Sequence, residues 1–162
     1  MTTILRQNRQ LTYIFIFTIA MFNPSRDQVR DFFIDTWSKH QKKQILTPLE
    51  SIALNWIQQH PEYHHILENP DAKSRDFSVD QGQVNPFLHL SMHLAIEEQI
   101  SINSPPGIRD VFQALAARSS AHDAAHEIME CLGTVLWEAQ RLGKPLDNEH
   151  YLELLKQRVH RH

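Results

Sequence analysis

From Val29 onward the face-forming positions Phe32, Phe33, Thr36 and Trp37 follow the i, i+3, i+4, i+7, i+8 spacing of a single buried helix face. That helix opens at Asn23-Pro24-Ser25. Thr47-Pro48-Leu49-Glu50 supplies the N-cap, first-turn proline and third-position glutamate of a capping box, which predicts a second helix to about Gln59. A short turn follows Pro61, and Asn69-Pro70 closes it. Residues 69–85, rich in Asp, Ser, Gly and Gln, read as a long connection of the kind that serves as a lid or stays mobile. A third helix starts at Asn85-Pro86 and runs to about Ile102, where Pro105-Pro106-Gly107 breaks the chain. Ile108 to Ala117 forms a shorter helix, and Ser120 caps a long one ending at Gly143. Pro145 and Asp147 introduce the last, carrying Tyr151, Leu152, Leu155 and Val159.

No segment of the domain alternates cleanly with a period of two, so the pattern predicts an all-α fold. The expected architecture is a compact single-domain helical bundle of about five or six helices. Composition agrees, because 4 glycines in 162 residues are too few for many strand turns. A net charge of −3 leaves no basic excess for a phosphate backbone, which excludes nucleic acid as the expected partner. The one cysteine, Cys131, cannot make an internal disulfide or a thiolate-only metal site, and it falls near the rim of an apolar face as a packed thiol. A cytoplasmic location fits this usage.

Residues 1–20 stand apart. Arg6 and Arg9 precede the apolar stretch Leu11 to Ala20, which is too short to span a bilayer but resembles a weak secretory signal. The preferred reading places 1–20 outside the fold, with Met21 as the natural start and 21–162 as one helical domain. Export through the N-terminal segment is the minor alternative.

The 11 histidines carry the candidate chemistry. His89-x3-His93-x3-Glu97 lies on the third helix, and His122-x3-His126-x3-Glu130 repeats the spacing on the long one. Residues four apart share a helix face, so each triplet forms a column of potential ligands. Apolar residues surround the third helix on most sides, and the second column borders the apolar face of its own helix. Buried imidazoles and carboxylates need partners, either each other or a cation. Eight residues rise about 12 Å, too far for one column to hold one ion. Antiparallel packing of the two helices would set His89 and His93 against Glu130, and His122 and His126 against Glu97. Each set is two histidines and one carboxylate, which suits ferrous iron. The expected cofactor is one or two transition-metal ions, iron or manganese before zinc. A single central ion held by His93, His126, Glu97 and Glu130 is a variant, and a metal-free His/Glu network is the alternative.

Two further features are read as structural. His60-x3-His64-x3-Glu68 has the same spacing, but Pro61 displaces His60 from the helix and the apolar residues Tyr63, Ile66 and Leu67 face away from His64 and Glu68, so the triplet reads as solvated. Glu50 falls on an apolar arc, where it is either an extra ligand or, as preferred, the cap of its own helix.

Five stretches, Met21-Phe22-Asn23-Pro24-Ser25-Arg26, Leu46-Thr47-Pro48-Leu49-Glu50, His60-Pro61-Glu62-Tyr63-His64, Asn85-Pro86-Phe87-Leu88-His89-Leu90-Ser91-Met92-His93 and Ile128-Met129-Glu130-Cys131-Leu132-Gly133, resemble a proteobacterial family catalogued as domain of unknown function 1841. The resemblance covers about residues 21–155 and brings no activity with it. His-x3-Glu also occurs in hemerythrin-like di-iron bundles, yet neither their ligand set nor the Glu-x2-His set of ferritin-like bundles maps onto this chain. No nucleophile elbow, phosphate loop or Cys-x2-Cys pair supports another enzyme class. The sequence therefore predicts a small helical metal-binding protein with redox or oxygen chemistry as its candidate role. The alternative is a non-catalytic helical interaction module with a buried histidine network.

Overall fold

The structure, a computed structural model, describes residues 25–77 and 84–161. The signal-like segment and the proposed start at Met21 lie outside the described residues, as do residues 78–83 of the long connection. Among the described residues there are seven α-helices, two 3-10 helices and no strand. The helices are α1 (Arg26–Gln41), α2 (Pro48–Gln58), α3 (His64–Leu67), α4 (Pro86–Ile102), α5 (Ile108–Arg118), α6 (Ala121–Leu142) and α7 (Asn148–His160). The count exceeds the expected five or six because α3 is a single turn, too short to show a periodic face. None of these helices is long and apolar enough to cross a membrane.

The chain divides between Leu94 and Ala95, within α4, into two compact units. In the first, α1 packs on α2, α3 and the 3-10 turn Pro70–Lys73. Val29, Phe33, Thr36 and Trp37 on α1, and Ala53, Trp56 and Ile57 on α2, are buried. Both helices start as their sequences dictate. Ser25 and Gln28 form one capping box, and Thr47 and Glu50 the other, with the Thr47 amide donating to Glu50 Oε2 at 2.8 Å. The Lys39 ammonium also reaches Glu50 Oε1 at 2.6 Å, and this pair and the cap hold the Glu50 carboxyl below its ordinary range. Glu50 is a cap, as preferred.

The part of the connection described after α3, to residue 77, is pinned to α1. Arg30, only 3% exposed, donates through Nη1 to the carbonyls of Lys73 and Arg75, both at 2.7 Å, and more weakly to Ala72. Its guanidinium also lies 5.5 Å from the ring centre of Phe77 and 5.2 Å from that of Phe87. One side chain on α1 thus fixes residues 72–77 and the first turn of α4. Asn85 caps that turn, its Oδ1 accepting from the Phe87 and Leu88 amides.

In the second unit α5, α6 and α7 pack pairwise, with Ile108, Leu115, Ile128, Leu132, Tyr151 and Leu155 buried. The Tyr151 hydroxyl donates to Gln99 Oε1 at 2.9 Å, joining α7 to the end of α4. Arg118 on α5 donates to the Arg158 and Val159 carbonyls, which satisfies acceptors that the last turn of α7 leaves without helical partners. Gly143, at φ 63, ends α6 in the left-handed conformation that favours glycine. Cys131 is buried, and burial pushes its thiol up, as expected of a packed thiol.

Candidate metal centre

The first unit gathers three histidines from two places in the chain. His89 and His93 stand one turn apart on α4, as their spacing requires. His60 follows the end of α2, where Pro61 prevents the helix from continuing. Its backbone turns away from helical geometry, and its ring folds back so that Nδ1 lies 2.8 Å from the Trp56 carbonyl oxygen. A carbonyl can only accept, so Nδ1 carries the proton and Nε2 of the neutral ring keeps its lone pair.

That lone pair faces His89 Nε2, which in turn lies beside a third ring nitrogen. His89 Nε2 lies 3.0 Å from His60 Nε2 and 3.1 Å from His93 Nε2. A single proton on His89 Nε2 can serve one of these contacts fully, not both. Each of these two nitrogen–nitrogen contacts has the length of an edge of a coordination polyhedron. Metal–imidazole bonds of about 2.0–2.1 Å at right or tetrahedral angles place neighbouring nitrogens about 2.8–3.4 Å apart. The two observed separations fall in that interval.

Aromatic rings hold the three imidazoles in place. Trp56 stacks on His93 with ring centres 4.0 Å apart and planes 14° from parallel. Tyr63 lies parallel to His60 at 5.4 Å and presents an edge relation to His89 at 5.6 Å. Burial raises the Tyr63 phenol to about 12, so it stays protonated at neutral pH. His60 and His93 are 2% and 0% exposed, and His89 is half-buried. The Trp56 carbonyl bond orients His60 as carbonyl partners orient the ligand histidines of metal proteins.

Of the six residues nominated by the sequence, His89 and His93 fall in this group. The burial expected for the whole of the first column stops short of Glu97, which is exposed. Steps of four residues advance a helix by about 40° beyond a full turn, so the column swings about 80° from His89 to Glu97. The second column drifts likewise. His122 and His126 are half-buried on α6 with ring centres 4.4 Å apart, whereas the Glu130 side chain is 63% exposed and ion-paired with Arg158.

The sequence pattern places His60 in a solvated triplet, and the structure corrects this. Pro61 does remove it from the helix, but the removal turns the ring inward. The rest of the triplet is also engaged. His64 Nε2 donates to the Ile57 carbonyl at 2.9 Å and its ring stacks on Trp37 at 4.1 Å, while Glu68 accepts from the Trp37 indole and from Gln41. The signal available in the sequence was a histidine between a helix end and a proline, where a ring N–H can cap the last carbonyls.

The model of the family described as Domain of unknown function (DUF1841) matches residues 25–157. No curated protein and no solved structure matches the chain. By a match over most of its length, from the first capping box to the last helix, the chain belongs to the DUF1841 family.

Proposed function

We propose that this protein binds a transition-metal ion through His60, His89 and His93. The observation that carries the reading is the position of His89 Nε2 between two other ring nitrogens, close to both. We further propose His126 as the next ligand, because His122-x3-His126 repeats the His89-x3-His93 spacing on a second helix. His122, Glu97 and Glu130 follow it as candidates from the same columns. Imidazole donors suit zinc, copper, iron and nickel, whereas manganese is better served by carboxylates. Iron or copper here would support one-electron or oxygen chemistry. Zinc would act as a structural ion or a Lewis acid.

A metal-free network is the second reading, favoured by the capping roles of the rings. His60 and His64 each bond a carbonyl at the end of α2, which explains their burial without an ion. Elemental analysis of untagged protein, reconstituted in turn with Fe(II), Zn(II) and Cu(II), separates the two. The metal reading predicts about one ion per chain, and an affinity at least about tenfold lower in His93→Ala and in His126→Ala. Less than about a tenth of an ion per chain in the wild type would leave the network reading in its place.

A further inference from the structure

The three rings that converge at His89 are neutral donors. The carboxylates proposed from the sequence offer little compensation, since Glu97 is exposed and Glu130 is ion-paired with Arg158. His60 is fixed by a carbonyl, a neutral group, where many metal-bound histidines are fixed by a carboxylate. Among the described residues no carboxylate is grouped with these rings, so a dication bound here would keep its charge among buried aromatic rings. Charge held in such surroundings without a counter-charge is unfavourable, and the imbalance falls if a negatively charged ligand joins the ion.

We propose that the metal bound at His60, His89 and His93 takes a small exogenous anion, of the hydroxide, azide or cyanide class, as an additional ligand. The inference rests on the metal reading above and adds a ligand to it. Access is on the His89 side, because His60 and His93 are closed off while His89 is half-buried. Trp56 covers a face of His93 and Tyr63 covers His60, so among these three rings an anion approaches past His89. Ordinary metal-bound water, having given up a proton, would fill the same role.

The test uses the full chain loaded with Cu(II), its copper content measured first, and titrated with sodium azide at constant ionic strength. Azide bound to copper is read from its charge-transfer absorption and from the change in the copper electron paramagnetic resonance spectrum. Saturable binding of one azide per copper is expected. In His89→Glu the chain supplies the negative charge itself, and azide binding per bound copper should weaken about tenfold or more. If that variant carries no copper, the wild-type titration decides alone. Wild-type protein holding about one copper yet showing no azide band, or His89→Glu binding azide as tightly as wild type, would overturn the anion site and leave the metal reading standing. Failure to hold copper, zinc or iron would remove both.

Discussion

His60 and His64 do different work although four residues and similar chemistry separate them. Each ring caps a carbonyl at the end of α2, but His60 keeps Nε2 for its neighbours while His64 spends Nε2 on Ile57. His64→Ala should therefore leave metal stoichiometry unchanged. It should lower stability by about 1 kcal/mol through the lost cap and the lost stack on Trp37, a difference read from denaturant unfolding of the metal-free protein. A loss of metal equal to that in His93→Ala would show that the site had been drawn around the wrong histidines. The sequence spacing could not separate the two residues, since the distinction depends on which nitrogen meets a carbonyl in the folded chain.

Glu50 makes a pH-dependent contribution at the same scale. Its folded-state pKa lies below the ordinary value because of Lys39 and the Thr47 cap, so its stabilisation is present above the ordinary carboxylate range and fades as pH falls through the folded value. Glu50→Gln should be less stable than wild type near neutrality, and the gap should close in acid. Unfolding midpoints measured from neutral pH to about pH 3 provide the check. A gap that stayed constant would mean that the carboxylate charge is not what holds the cap. This role was legible from Thr47-Pro48-Leu49-Glu50 alone, because a capping box is a local pattern. Lys39, from another helix, was not.

Among the elements, the long helices were legible because caps and breakers bracket them. Ser25, Thr47, Asn85, Ser120 and Asp147 each supply the side-chain oxygen of an N-cap, and Gly143 ends α6. The ligand columns were less legible, since a count of four residues per step conceals the angular drift that leaves Glu97 in solvent. The connection before α4 is decided by one residue on a distant helix. Arg30→Met should strand the carbonyls that Arg30 now binds and remove its contacts with Phe77 and Phe87, costing about 1–3 kcal/mol. Limited proteolysis should then cut residues 70–77 faster than in wild type. Unchanged cleavage and stability would contradict the assignment of Arg30 as the anchor of this segment.

For the whole molecule, net charge, helical class and family were all readable in the chain, and each is a property of many residues together. The grouping of His60, His89 and His93 is a property of a few residues that meet only after folding, so the sequence spacing points to His89 and His93 and passes over His60. The most direct test of the account is X-ray absorption at the metal edge of the Zn(II)-loaded full chain and of its His60→Ala variant. The account predicts outer-shell scattering from at least three imidazole rings in the wild type and one ring fewer in the variant. A shell of oxygen donors with no more than two imidazoles, unchanged by His60→Ala, would contradict it.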